Sequence, residues 1–216
     1  MGGRSISSTG ISKSAWIGFA LILASLALGI AATGGALAGF DRPVFKALAL
    51  TRAHSSAWTI MVAQAVTWLG SAAVRSAYIL AAIVVLAMRR HWRDTLLFVV
   101  VIAVTVFTDT ALKEIFGRVR PALVPWLDNP GNLSYPSGHS ANSMVVLLLA
   151  ALLIADRRLI GAAIALAAAV GVSRVALGVH WPSDVVGGWM FGAGAALIGA
   201  SLSRRTYRAS QTSLSA

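Results

Sequence analysis

Six long apolar runs, separated by short polar segments, dominate the chain. They cover residues 15–38, 71–88, 95–116, 140–155, 159–179 and 183–202. A helix needs about 20 mostly apolar residues to cross the hydrocarbon core of a bilayer. The pattern therefore predicts an all-α fold, a bundle of six transmembrane helices.

Two segments between the first and second runs break this pattern. Residues 40–56 are polar, with charged side chains such as Asp41 and Lys46, and we expect an interfacial helical segment there. Residues 57–70 are apolar but too few for a span. A run of about 10 to 14 residues is more often interfacial or re-entrant, so it is not counted as a crossing.

The first run allows two interpretations. Its end, Ala36-Leu37-Ala38-Gly39, resembles a signal-peptidase site. A signal core is typically about 7 to 15 residues long, and this run is longer, so a retained anchor is favoured over a cleaved signal.

Composition agrees with a membrane protein. The 216 residues are 57% hydrophobic and 12% charged, with a mean hydropathy of +0.78, too apolar for a soluble domain of this length. We predict one membrane-embedded domain at residues 15–203, a flexible cytoplasmic tail at 1–14 and a cytoplasmic tail at 204–216. The absence of cysteine excludes disulfides, thiol catalysis and Cys-ligated metals.

The net charge of +11 could suggest nucleic acid, but the 18 Lys and Arg residues fall in short clusters between apolar runs. We therefore expect no nucleic-acid partner. Clusters at 89–93, 157–158 and 204–208 share one face with the N-terminus, which marks that face as cytoplasmic. The loops at 117–138 and 180–183 then lie outside, so we predict a multi-pass protein of the inner (plasma) membrane whose site faces the periplasm or exterior.

Ionisable groups gather at this outer face, where charge at the lip of a span indicates a functional site. Asp184 follows His180 by four residues. If both lie on one helical turn, the carboxylate can hold one ring nitrogen of His180 and leave the other free to react. That arrangement is typical of a nucleophile or a base. Asp109, four residues before Lys113, is expected to neutralise that lysine, although it could also orient it.

The remaining polar residues suit a phosphate ester. A phosphoryl group in transfer spreads negative charge over its oxygens, and Lys113, Arg120 and Arg174 could stabilise that charge. Ser137 and Gly138 stand where the fourth run begins, so backbone N–H groups there can face an anion.

The two histidines divide the remaining chemistry. His180, with its carboxylate partner, is assigned to attack phosphorus, and His139 to protonate the leaving oxygen. Elsewhere, Gly188 and Gly192 form a small-xxx-small pair, which is typical of helix packing.

These motifs resemble the type 2 phosphatidic acid phosphatase family, in a superfamily that includes the vanadium haloperoxidases. The signature is a lysine, six residues, then Arg-Pro; Pro-Ser-Gly-His; and Ser-Arg, five residues, His, three residues, Asp. Every fixed position is met, by Lys113, Arg120, Pro121, Pro136, Ser137, Gly138, His139, Ser173, Arg174, His180 and Asp184.

The resemblance implies a membrane-embedded bacterial lipid phosphatase without cofactor or metal. In the family, the third-motif histidine, here His180, forms a phosphohistidine that Asp184 orients, and His139 protonates the leaving group. The lysine, both arginines, the serine and the glycine hold the phosphate.

We expect hydrolysis of a terminal phosphate from a lipid phosphate or diphosphate. Undecaprenyl diphosphate is the first choice, then phosphatidylglycerophosphate or phosphatidate, then lipid A. The motifs do not separate these lipids, because the tail is recognised by helix surfaces, and they do not indicate an oligomeric state. A non-catalytic lipid-phosphate-binding or transport protein is the alternative, although a binder needs no second histidine. Haloperoxidase-like oxidation is disfavoured by the six spans and the small loops.

Overall fold

The computed structural model describes residues 12–131 and 133–203, and within these ranges the chain forms eight α-helices. They are α1 (Lys13–Thr33), α2 (Ala38–Leu48), α3 (Ala57–Leu69), α4 (Ala72–Met88), α5 (Trp92–Phe116), α6 (Gly138–Ile154), α7 (Arg157–Ala176) and α8 (Pro182–Leu202). The all-α prediction is confirmed, and a helix does lie between the first two predicted spans. Residues 1–11 of the predicted tail at 1–14, and all of the predicted tail at 204–216, lie outside the described residues.

The predicted count of six spans is not confirmed. Within the described ranges, four helices are long and apolar enough to cross a membrane, namely α1, α5, α7 and α8. Helices α3 and α4 are long and apolar enough to cross a membrane only when they are taken together, and a bend of 44° lies between them. Residues 57–70, which we had set aside, are thus part of a bent helix pair. Helix α6 is apolar but has only 17 residues.

The break between α3 and α4 has a local cause. Gly70 ends α3, and the hydroxyl of Ser71 accepts the N–H of Val74 to cap α4. A side chain at Gly70 would meet Val170 of α7 at 2.3 Å and the ring of His139 at 3.3 Å. The absence of a side chain at Gly70 therefore lets the bend approach the start of α6 and the end of α7.

Helix α6 is the centre of the bundle. Its Val145 and Leu149 are fully buried, in a core that also contains Phe98 of α5, Ala167 of α7 and Ala196 of α8. A helix surrounded by other helices can carry polar residues and be shorter than a lipid-facing one, because its neighbours satisfy its polar groups. This explains why length and hydropathy describe α6 poorly.

Glycines bring α8 close to two neighbours. A Cβ at Gly192 would lie 2.3 Å from the carbonyl oxygen of Ala141 in α6, and one at Gly188 would lie 2.7 Å from that of Ser137. On another side, Gly194 opposes Gly18 of α1, where each Cβ would lie 2.7 Å from the other's carbonyl oxygen. The small-xxx-small prediction for α8 is confirmed, since only a missing side chain permits these approaches.

The loops at one end of the bundle are joined to each other by backbone hydrogen bonds. The N–H of Leu127 donates to the carbonyl of Leu177 at 3.0 Å, and that of Leu50 donates to Ala176 at 2.8 Å. The N–H of Ser137 donates to Asp184 at 3.0 Å. Nη1 of Arg120, in the first motif, also donates to the carbonyl of Val179 at 2.6 Å. The first, second and third motifs, far apart in sequence, therefore meet at this end.

Candidate active site

A cavity of about 490 Å³ opens at the end of α5, the start of α6 and the end of α7, next to the α3–α4 bend. Six of the predicted site residues line it: Lys113, Arg120, Gly138, His139, Arg174 and His180. Thr67, Trp68 and Ser71 contribute the wall from the α3–α4 bend. The other two predicted residues, Ser137 and Asp184, are fully buried and do not line this cavity.

Asp184 holds His180 from behind. Nδ1 of His180 lies 3.4 Å from Oδ2 of Asp184. The same oxygen accepts the backbone N–H of Trp181 at 2.8 Å and the hydroxyl of Ser134. We expected the pair on one helical turn. Instead, His180 precedes α8. Asp184 lies in the first turn of α8, where its carboxylate accepts the backbone N–H of Trp181, as the acidic residue of a capping box does.

Arg120 determines the tautomer of His180. Its Nη1 lies 2.9 Å from Nε2 of His180 and also donates to the carbonyl of Val179 at 2.6 Å. A guanidinium has no acceptor, so Nε2 must offer its lone pair and the ring proton lies on Nδ1, towards Asp184. Burial lowers the pKa of His180 well below its ordinary value, and the charge of Arg120 lowers it further. The imidazole is therefore neutral, the form that a nucleophile requires.

Arg174 has a partner that the sequence did not reveal. Its Nη1 donates to Thr67 at 2.8 Å and forms an ion pair with Asp128, in the loop after α5. Its Nε is buried and has no partner within the part of the chain that the structure describes. Burial alone would raise the pKa of Asp128, but the hydrogen bond and charge of Arg174 hold that pKa below its ordinary range. Asp128 thus occupies Arg174 as an anion.

Lys113, one turn before the end of α5, donates to the carbonyl of Pro136. Its neighbour along the helix, Asp109, is 4% exposed. A Cβ at Gly138 would lie 3.0 Å from Oδ2 of Asp109 and 3.7 Å from Cε of Lys113. Glycine at the start of α6 therefore lets the second motif rest directly on these two side chains.

Ser137 connects the motifs to each other. Its backbone N–H donates to the backbone carbonyl of Asp184, and its hydroxyl accepts a hydrogen bond from the hydroxyl of Ser140 at 3.1 Å. Both groups are thus bonded within the protein, and the phosphate contact assigned to Ser137 stays a prediction.

Sequence reasoning missed four polar residues around the site: Asp41, Arg118, Asp128 and Ser134. Arg118 stands inside the first motif, between Lys113 and Arg120, and donates to the carboxylates of Asp41 and Asp184. Its position in a basic motif was a usable signal. For Asp41 there was none, because a lone acid in a polar segment looks like a surface residue, whereas the structure buries it to 1% exposure.

The geometry supports one kind of chemistry. Three cations surround a space that also contains a neutral, oriented imidazole and a second histidine. Such fixed charges favour an anion whose charge grows during reaction. The arrangement could bind a phosphoryl group, transfer it to Nε2 of His180 and use His139 for proton transfer.

The sequence profile of the PAP2 superfamily matches residues 94–208, more than half of the chain and all three motifs. The chain belongs to the PAP2 superfamily. This confirms the family inferred from the motifs, and with the apolar helices it identifies a multi-pass membrane protein.

The relatives of this PAP2 protein are phosphatases. Phosphatidylglycerophosphatase B of Bacillus subtilis (strain 168) is 32% identical over 186 residues, which cover 80% of this chain and 87% of that protein. Lipid A 4'-phosphatase of Bacteroides thetaiotaomicron is 31% identical over 127 residues, covering 47% of this chain and 55% of that protein.

The fold of this PAP2 protein also has a solved counterpart. The crystal structure of a transmembrane PAP2 type phosphatidylglycerolphosphate phosphatase from Bacillus subtilis superposes with a TM-score of 0.76 at 27% identity, covering 90% of this chain and 97% of that one. The similarity thus extends well beyond the motifs, to nearly the whole described bundle.

Proposed function

We propose that this PAP2 protein hydrolyses the terminal phosphate of a lipid phosphate or diphosphate through a phosphohistidine on His180. One observation carries the proposal. His180 lines the same cavity as Lys113, Arg174 and His139, and its acceptor nitrogen faces Arg120 while its other nitrogen faces Asp184. A binding pocket would need the cations, but it would not need an oriented imidazole and a second histidine.

The reaction begins when the phosphate enters among the three cations. Arg120 exchanges its hydrogen bond with Nε2 for one with a phosphate oxygen, which frees the nitrogen lone pair. Nε2 attacks phosphorus, the bond from phosphorus to the leaving oxygen breaks, and protonated His139 supplies the proton that this oxygen needs. Neutral His139 then removes a proton from water, which attacks the phosphohistidine and releases inorganic phosphate. We propose that these side chains suffice without a metal ion.

One observation guides the choice of substrate. The motif side chains are assigned to the phosphate alone, so they do not choose among lipids. The relative covered to 87% is a phosphatidylglycerophosphatase, which moves phosphatidylglycerophosphate ahead of undecaprenyl diphosphate, our choice from the sequence. Phosphatidate follows. Lipid A comes last, because the match to the lipid A 4'-phosphatase covers only 55% of that protein.

The proposal also includes a topology. Arg89, after α4, donates to the carbonyl of Ile154, at the end of α6, at 3.2 Å. Two basic loops are therefore neighbours at the end of the bundle opposite the cavity. If the basic end is cytoplasmic, the site faces the periplasm or exterior of an inner (plasma) membrane. Counting the bent α3–α4 pair as one span and α6 as another restores six crossings.

The test is phosphate release by detergent-purified protein. The panel contains phosphatidylglycerophosphate, undecaprenyl diphosphate, phosphatidate, lipid A and an aryl phosphate whose leaving group needs no proton, each assayed with and without a chelator. Wild type is compared with His180→Ala and His139→Ala, and thermal melts establish that the variants fold.

We expect His180→Ala to lose activity by orders of magnitude on every substrate. His139→Ala should lose far more on lipids than on the aryl phosphate, because only the lipid leaving groups depend on an acid. Near-normal turnover by folded His180→Ala would refute the nucleophile assignment. Wild type that binds these lipids without releasing phosphate from any of them would favour the non-catalytic alternative.

A further inference from the structure

Asp41, on α2, is joined to the proposed catalytic residues although it is far from them in sequence. Its Oδ1 accepts the backbone N–H of Ser183 at 2.8 Å. Its Oδ2 accepts the Ser183 hydroxyl and Nη2 of Arg118, each at 2.7 Å. A carboxylate with 1% exposure and three such bonds occupies a built position, since a buried charge without partners would be costly.

Arg118 passes this connection on to Asp184. Its second terminal nitrogen, Nη1, donates to Oδ1 of Asp184 and to the Ser183 hydroxyl at 2.7 Å. One guanidinium thus bridges two buried carboxylates, with one nitrogen for each. Because its fork is planar and rigid, Asp41 on one side determines where Arg118 presents its charge on the other.

The two oxygens of Asp184 have separate tasks. Oδ1 is held by Arg118, while Oδ2 accepts from Trp181 and Ser134 and faces Nδ1 of His180. Because Arg118 holds Oδ1 while Trp181 and Ser134 hold Oδ2, the carboxylate is fixed at both oxygens against rotation about its bond to Cβ. The rotation of Asp184, and with it the orientation of the imidazole, depends on Arg118.

Helix α2 is anchored where this connection begins. One turn after Asp41, the fully buried Phe45 packs against Val175 and Val185, and its ring centroid lies 5.5 Å from that of Trp181. The aromatic anchor and the acid lie on one face of the helix, four residues apart. Helix α2 therefore packs against the segment between α7 and α8, which contains His180.

We propose that Asp41 is a positioning residue, which orients the nucleophile through Arg118 and Asp184. The inference rests on the proposed function. Neither Asp41 nor Arg118 lines the cavity that contains Lys113, Arg174 and His139. Their loss should therefore slow phosphoryl transfer and leave phosphate binding nearly unchanged.

The experiment measures kcat and KM of detergent-purified full-length variants on the best lipid of the panel. Asp41→Asn and Arg118→Gln remove the charges, while Asp41→Glu and Arg118→Lys retain them. Lys46→Gln, an exposed charge on the same helix, is the matched control. A thermal melt of each protein and a single-turnover assay of phosphohistidine formation separate positioning from folding.

We expect Asp41→Asn to lower kcat by about 10- to 100-fold, the range typical of groups that orient a ligand from behind. KM should stay within about threefold of wild type, because the phosphate cations are untouched. Phosphohistidine formation should slow by the same factor as kcat, Arg118→Gln should lose at least as much, and the charge-retaining variants should recover part of the rate. Lys46→Gln should match wild type.

Wild-type kcat in folded Asp41→Asn would overturn the inference and leave the proposed function intact. A fall in kcat that is matched by an equal rise in KM would also overturn it, as would one that follows only the loss of thermal stability. If Asp41→Asn does not fold, Arg118→Gln decides, and wild-type kcat in folded Arg118→Gln overturns the inference. Absence of phosphate release by wild type would refute the proposed function, and the inference would fall with it.

Discussion

Nη1 of Arg120 lies 2.9 Å from Nε2 of His180, on the side of the ring away from Asp184. Since the guanidinium can only donate, this contact leaves the ring proton on Nδ1 and reserves the lone pair of Nε2. Arg120 thus has two consecutive tasks in the proposed reaction: it keeps the nucleophile in the reactive tautomer, and then it holds the phosphate that displaces it.

The first prediction follows from this double role. Arg120→Lys keeps a charge but loses the guanidinium, whose Nη1 contacts both Nε2 of His180 and the carbonyl of Val179 and whose Nε donates to the carbonyl of Gly131. We expect kcat to fall by about 10²- to 10³-fold, as when one donor to developing charge is removed. Steady-state kinetics on a lipid phosphate measure it. Arg118→Lys is the comparison, because it should lose much less, and equal losses would contradict a special role for Arg120.

The second prediction concerns pH. An ordinary histidine has a pKa of about 6.5, but burial and the neighbouring cations lower the pKa of His180 well below that value. A lowered pKa means that the neutral nucleophile persists to more acidic pH. On the acid side, we therefore expect protonation of His180 to reduce kcat/KM only well below pH 6.5.

This pH profile requires a correction for the substrate, whose phosphate titrates in the same region. Titration of the substrate alone by phosphorus NMR supplies the correction. A corrected acid limb centred on the ordinary histidine value would contradict the neutral, buried state assigned to His180.

The third prediction concerns Asp128, which forms an ion pair with Arg174 and would compete with phosphate for it in the proposed reaction. Its side chain is 34% exposed, and an ion pair at such a position is worth only about 0.2 to 1 kcal/mol. Asp128→Asn should therefore lower KM and the inhibition constant for inorganic phosphate by at most about fivefold. Asp128→Glu, which keeps the charge, serves as the control. A rise in KM for Asp128→Asn would mean that the carboxylate positions Arg174 instead of competing for it.

The fourth prediction tests how helix contacts support the site. A methyl group at Gly192 would lie 2.3 Å from the carbonyl of Ala141, two residues after His139. We expect Gly192→Ala to cost about 1 to 3 kcal/mol, as overpacking does, and to reduce kcat by displacing the start of α6.

The matched control is Gly161→Ala in α7, where a Cβ would meet nothing within 4 Å. Alanine is the better helix former by about 0.5 to 1 kcal/mol, so this variant should be at least as stable as wild type. Thermal melts and phosphate release report both variants. Equal stability of the two would show that α6 and α8 are less tightly packed than the structure indicates.

The apolar runs predicted most helices, but length and hydropathy do not confirm the count of six spans, for reasons visible in two places. Gly70 allows α3 and α4 to meet at a 44° bend, and a hydropathy pattern shows two consecutive short runs without showing that they form one bent helix pair. Helix α6 is buried among its neighbours, so its length answers to packing and not to bilayer thickness. Length and hydropathy predict whether a straight helix can span a bilayer. They do not describe the bent α3–α4 pair or the buried helix α6, whose lengths depend on contacts with other helices.

The site divides in the same way. Six predicted residues line one cavity, because all three motifs lie at helix ends on the same side of the bundle. The pairs that hold these residues in place were not predicted. Asp41 and Ser183 are 142 residues apart, and Arg174 and Asp128 are 46 apart. No periodicity connects such positions, since the spacing of two residues that meet across a bundle depends on loop paths.

The sequence by itself determined that the chain belongs in a membrane and that cations and two histidines lie beside the ends of its apolar runs, because hydropathy and charge are properties of residues in order. The tertiary structure alone decided which carboxylate holds which cation, which nitrogen of His180 faces Arg120 and which faces Asp184, and that Asp41 of α2 is linked to Asp184 through Arg118. Those relationships require atoms brought within hydrogen-bonding distance, and only the packing of helices against each other establishes that distance.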